Sequence, residues 1–78
     1  MSTLANKSTI VLASKVWFSK DMLFVHLLDG REIGVPLLWS PKLGKASEEQ
    51  LNEWRLFGNG VGIHWESIDE DISISALL

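Results

Sequence analysis

Between residues 22 and 37 the chain alternates apolar and polar side chains on both sides of the dipeptide Asp29-Gly30. In Met22 to Leu28, residues Leu23, Val25 and Leu27 share one face, with Phe24 and His26 on the other. In Arg31 to Leu37, residues Ile33, Val35 and Leu37 share a face. A period of two is that of an extended strand, and glycine accepts the positive φ that a two-residue type I′ turn demands. The pattern predicts a hairpin. Upstream, Ile10 to Ser19 reads as a strand with imperfect alternation: Leu12, Val16 and Phe18 are interrupted by Ser14 and Lys15. With Ser19-Lys20-Asp21 as a turn, three strands follow one another in a meander. Pro36 has no N–H to give to a ladder, so it belongs at a strand end or an edge.

The second half reads differently. Ser40-Pro41 has the form of a helix N-cap with proline at the first helical position, giving one short turn through Leu43 that Gly44 stops. Ser47-Glu48-Glu49-Gln50 is a capping box, in which the serine oxygen takes an orphan N–H and the glutamine reaches back. A helix of about two turns is expected from there, with Leu51, Trp54 and Phe57 near one face, ended by Gly58-Asn59-Gly60. Gly62 to Trp65 resumes an extended pattern as a short fourth strand, Ile63 and Trp65 on one face and His64 on the other. Asp69-Glu70-Asp71 then leads to Ser73, read as the cap of a last helical turn holding Ile74, Leu77 and Leu78. The expected fold class is α+β: a small antiparallel sheet, three-strand meander plus short fourth strand, with one main helix packed on it. Residues 1–9 are expected to be a flexible N-terminus and residues 10–78 a single domain.

Seventy-eight residues can bury only about 60 to 65% of the unfolded surface, and a core of that size supplies about 3 to 5 kcal/mol. With no cysteine there is neither a disulfide nor a thiolate metal site to add to it. Self-association is the remaining stabiliser, so a homo-oligomer or a complex with a small protein partner is expected. A hydrophobic fraction of 46% with four tryptophans rules out a disordered tail. The net charge of −3 argues against a nucleic-acid partner, because phosphate contacts need clustered lysine and arginine. That average conceals an asymmetry: residues 1–45 carry a net +3 and residues 46–78 a net −6. Separate faces of opposite sign would favour association with a partner; interleaved charges would not. The longest early apolar run, Ile10 to Ala13, is too short for a signal-peptide core or a membrane span, and the expected location is the cytoplasm, with no membrane contact.

One block carries a family resemblance. Val35-Pro36-Leu37-x-Trp39-x-Pro41-x-Leu43, then Trp54, Gly58-x-Gly60-x-Gly62-Ile63-His64-Trp65 and Asp69-Glu70-Asp71-Ile72-Ser73 resemble a bacterial family of small proteins called domain of unknown function 2442. The resemblance covers roughly residues 12 to 78, including the Asp29-Gly30-Arg31 hairpin. It implies a small antiparallel sheet with a helix and no established activity. Some relatives carry an added helix-turn-helix domain, for which this chain has no room. Others stand beside a second small gene in arrangements that look like toxin and antitoxin pairs. At Ser40 this chain departs from relatives that have an aromatic residue before the proline.

The chemistry-bearing residues are few. His64 with Asp69, Glu70 and Asp71 is the one cluster with the donor types of a metal or acid-base site, but no cysteine or second nearby histidine supports it, and no metal or cofactor is expected. Its plainer reading is a histidine hydrogen-bonded by an acidic neighbour. Gly58-x-Gly60-x-Gly62 sits after a helix and before a strand, the reverse of a phosphate-binding loop. No serine or threonine is paired by spacing with a histidine base, so no catalytic residue is assigned. Arg31 either ties the hairpin to the Asp69–Asp71 stretch or recognises a ligand. Trp39, Trp54 and Trp65 are expected where helix meets sheet. Trp17 is either an exposed contact residue on an edge strand or part of a second apolar face with Met22 and Phe24. The leading functional expectation is a non-enzymatic protein-interaction module, with a small-ligand site or cryptic enzyme at Arg31, His64 and the acidic triplet as its rival.

Overall fold

A computed structural model describes residues 11–78 of the chain. The expected flexible N-terminus, and Ile10 at the start of the expected first strand, lie outside the described residues. The meander forms as its alternation dictates: β1 (Ala13–Ser19), β2 (Met22–Leu27) and β3 (Glu32–Pro36) make an antiparallel sheet in that order. Val25 is paired with Val16 on one side and Ile33 on the other, and Leu23 with Phe18 and Val35. These rows form the inner face. Trp17, Phe24 and Gly34 are likewise directly opposite one another and form the outer face. The interruption at Ser14 and Lys15 is a bulge between Ala13 and Lys15, which restores the alternation of the residues that follow. Pro36 closes β3, and Leu37 takes up the next backbone bond, donating to Asp21.

The hairpin turn is one residue longer than expected. The Gly30 N–H bonds the Leu27 carbonyl and the Leu27 N–H bonds that of Arg31, so Leu28, Asp29 and Gly30 form the loop. Gly30 alone has positive φ, at 97°, where a type I′ turn would need two such residues. A three-residue loop needs it at one position only, and glycine fills it.

After a single 3-10 turn at Leu37–Trp39, both capping signals work as written. The Ser40 hydroxyl accepts the Leu43 N–H at the start of α1 (Pro41–Lys45), which extends one residue past Gly44. Ser47 and Gln50 make the reciprocal capping box of α2 (Glu48–Leu51). The expected two-turn helix ends there, after one turn. Trp54–Phe57 is a strand, β4, paired with β5 (Gly62–Trp65), which in turn pairs with β6 (Glu70–Ser73). The fourth strand is therefore the middle of a second antiparallel sheet of three. The spacing of Leu51, Trp54 and Phe57 suits a helix, but Trp54, Arg55 and Leu56 also alternate with period two, and Trp54 and Phe57 are of types that favour strands. Pairing decided between them, since β5 without β4 would leave a row of buried backbone groups unbonded. Of the acidic triplet, Asp69 lies in the turn and Glu70 and Asp71 open a strand, in place of the expected helix start. Ser73 precedes a 3-10 turn, Ile74–Leu77, without capping it through its side chain; its hydroxyl lies 2.9 Å from that of Ser75.

Both inner faces feed one cluster. Val16, Leu23, Val25, Leu27 and Val35 from the first sheet are buried with Ile63 and Trp65 from the second and Ile74 of the 3-10 turn that follows it, and Leu37, Leu43 and Leu51 seal the connecting segment. Trp65 is fully buried. Its ring meets Phe18 of β1 at 6.5 Å and its indole N–H donates to the Leu51 carbonyl at 3.0 Å, so one side chain touches both sheets and the link between them. At the β4–β5 turn, Gly60 has φ 106°, and a Cβ there would fall 2.4 Å from the Ala13 carbonyl oxygen. Glycine is required for this approach of the second sheet to β1. No helix among the described residues is long and apolar enough to cross a membrane.

Candidate functional site

The alternation of β5 places Ile63 and Trp65 inward and leaves His64 on the outer face, as its sequence implies. Cross-strand register then decides its neighbours: Arg55 stands opposite on β4 and Asp71 on β6. The His64 Nδ1 is hydrogen-bonded to the Asp71 carboxylate, and its Nε2 lies 3.0 Å from Glu66 Oε1. The same Glu66 oxygen accepts from the Arg55 guanidinium at 3.0 Å. Four ionisable groups, Arg55, Glu66, His64 and Asp71, thus run in a line across the sheet. The Asp71 bond, and after it the Glu66 bond, raises the His64 pKa above its usual 6.5, since only the imidazolium can donate from both nitrogens.

That arrangement constrains the chemistry. A ring with both nitrogens engaged by carboxylates leaves neither free to take a proton from a nucleophile. The carboxylates also sit at opposite ends of the ring, so the three groups do not converge on a point, and among the described residues no such trio is placed to hold a metal. Beside the line lies an open depression of about 380 Å³ bounded by Arg55, Phe57, His64 and Asp71.

The acidic triplet does not act as a unit. Because β6 alternates, Asp71 faces His64 while Glu70, opposite Trp65, faces the other way. The Glu70 carboxylate accepts the Ser40 hydroxyl proton at 2.6 Å, tying the start of α1 to the second sheet. Asp69 is the turn residue, with φ 52°, and its carbonyl accepts from the Lys42 ammonium at 2.8 Å. Arg31 does not reach this region. It bonds Asp29 of its own hairpin at 2.9 Å, and its backbone N–H, ahead of its guanidinium, holds the Asp29 carboxyl below the usual carboxylate range. Arg31, His64 and the triplet therefore form no common pocket.

Of the two readings of Trp17, the second describes its surroundings. The ring stacks on Phe24 at 5.7 Å and is half-buried, with the Lys15 ammonium 5.7 Å from its centre. Trp39 departs from expectation. Trp54 and Trp65 pack into or against the core, but Trp39 is 68% exposed and its neighbour Leu38 80%. The cause is the 3-10 turn, which turns Leu37 into the core and the next two side chains outward. Behind Trp39 lies an apolar groove of about 270 Å³, walled by Leu23, Val35, Pro36, Leu43, Ile72 and Leu77, with Ser40 and Glu70 as its polar groups. Arg55, Glu66, Leu38 and Ser40 were not among the expected site residues. Their roles come from register and from a single turn, neither of which leaves a periodic signal.

Among curated proteins none matches this chain significantly. Among solved structures it is similar to the crystal structure, at 2.75 Å resolution, of a protein of unknown function from Rhodospirillum rubrum. The two are 30% identical with a TM-score of 0.77, over 86% of this chain and 83% of that one. The family model for proteins of unknown function designated DUF2442 matches residues 13–78, so the chain belongs to that family.

Proposed function

We propose that the protein is a non-enzymatic interaction module whose contact surface is the lip formed by Leu38 and Trp39 and the groove behind it. One observation carries this reading: two large apolar side chains, 80% and 68% exposed, stand side by side on one 3-10 turn. Pro36 precedes that turn and Pro41 follows Ser40, so the backbone is stiff on both sides. A stiff turn loses little entropy on binding, and tryptophan is the residue most enriched in binding hot spots. The partner is a second copy of the chain or another small protein, as in a paired bacterial system. The rival, a ligand site or enzyme, has less to draw on, because Arg31 and the triplet are apart and both His64 nitrogens are engaged.

Light scattering on the protein at about 100 μM, alone and co-expressed with the product of the adjacent gene, tests this. A mass above that of the monomer is expected in one of the two samples. The double substitution Leu38→Ser, Trp39→Ser should return it to monomer with an unchanged circular dichroism spectrum. A parent that is monomeric in both samples, or an assembly indifferent to the substitutions, overturns the proposal.

A further inference from the structure

Resting on the reading of the Trp39 lip as a contact surface, we propose that its groove takes an arginine side chain of the partner protein, with the guanidinium at Glu70 and the stem along the apolar wall. Among the described residues Glu70 is the only charged one lining the groove. Its carboxylate is half-buried and, among the described residues, receives one hydroxyl donor, from Ser40. No lysine, arginine or histidine lies within ion-pair distance of it among the described residues. The nearby Lys42 gives its ammonium to the Asp69 carbonyl instead. An ionised carboxylate can accept about four hydrogen bonds, so one with a single donor among the described residues has acceptor capacity left for a guanidinium.

The rest of the groove matches the same occupant. A long aliphatic stem buries well on an apolar wall while its charged head reaches a polar end. Trp39 lines the groove and is largely exposed, and an indole ring is a surface on which a guanidinium can stack. Arginine answers all three features, whereas an apolar side chain would leave Glu70 further desolvated and unpaired. Charge complementarity is local to the groove, where Glu70 is the one charged lining residue among those described.

The test uses the full chain and the peptide acetyl-Leu-Arg-Leu-amide, with its citrulline counterpart, the same shape without the charge. Titration is followed by amide and indole chemical shifts. The arginine peptide is expected to shift the Trp39 indole and the Ser40 and Glu70 amides. It should bind about tenfold more tightly than the citrulline peptide, the usual worth of one hydrogen-bonded charge. Glu70→Gln, which keeps an acceptor for Ser40, should abolish that preference, and Trp39→Ala should weaken the arginine peptide. Equal binding of the two peptides at the groove removes the arginine proposal and leaves the interaction reading standing. Shifts confined to the His64 face, or none at peptide concentrations of about 10 mM, also overturn it, and the interaction reading is then decided by light scattering alone.

Discussion

On the outer face of the first sheet Phe24 lies over Gly34, its direct partner on β3; on the second, Phe57 lies over Gly62, its direct partner on β5. A Cβ at either glycine would meet the ring, at 2.7 Å for Gly34 and 2.2 Å for Gly62. In both sheets an aromatic side chain fills the space that glycine leaves open. The neighbours then diverge. Phe24 is stacked on Trp17, and the face is completed by Met22, the Lys15 stem and the His26–Glu32 pair. Phe57 instead borders the line Arg55, Glu66, His64, Asp71. The same backbone device thus supports one face held by packing and one face held by charge. Packing responds to volume, and charge responds to pH and salt.

The most severe test removes what the two sheets share. Trp65→Ala takes away a fully buried ring that touches β1 and α2 as well as its own sheet. A loss of about 3 to 5 kcal/mol is expected, nearly the whole stability of a core this small. Urea unfolding followed by circular dichroism should show little or no folded baseline. A variant as stable as the parent would mean that the sheets hold independently of the ring between them.

A smaller effect compares the faces directly. Phe24→Ala loses both the cover over Gly34 and the stack on Trp17, and should cost about 1 to 2 kcal/mol. Phe57→Ala removes a ring that is already 43% exposed and has no aromatic partner among the described residues. Its cost should be less than half as large in the same urea titration. Equal costs would show that covering glycine, rather than the stack, is what each ring contributes.

The mildest effect concerns pH. Folding raises the His64 pKa, so the folded state holds its proton more tightly than the unfolded chain. The stabilisation is complete below the unfolded value near 6.5 and is lost as pH rises through the higher folded value. The urea midpoint of the parent should therefore fall on going to alkaline pH by more than that of His64→Gln. His26 is present in both proteins, so the difference isolates His64. Parallel curves would show that the charged line adds nothing to folding. Phe24→Ala should keep the parent's pH slope, which separates the packed face from the charged one.

The first sheet was legible because its information is local. Alternation from Met22 to Val35 sorts inner from outer residues without reference to the rest of the chain, and Gly30 marks the turn whatever its loop length. The serines at residues 40 and 47 were legible for the same reason, since a cap bonds an N–H three residues away. Residues 54–57 were not. Four residues with apolar side chains at the first, third and fourth positions satisfy a helix turn and a strand equally well, and the choice fell to the ladder with β5.

What the sequence by itself determined was the period of the meander, the two serine caps, the inward Ile63 and Trp65 with His64 outward, and the need for glycine at the turns. Each is set by interactions within a few residues, where backbone geometry leaves few alternatives. Only the tertiary structure decided that the triplet would be split, Asp71 to His64 and Glu70 to Ser40, and that Arg31 would stay with Asp29. It also decided that Trp39 would face outward while Trp65 was buried. These outcomes depend on register between strands distant in sequence and on one 3-10 turn, and a side chain's partner across a ladder is fixed by the pairing of backbones, which residue type alone does not encode.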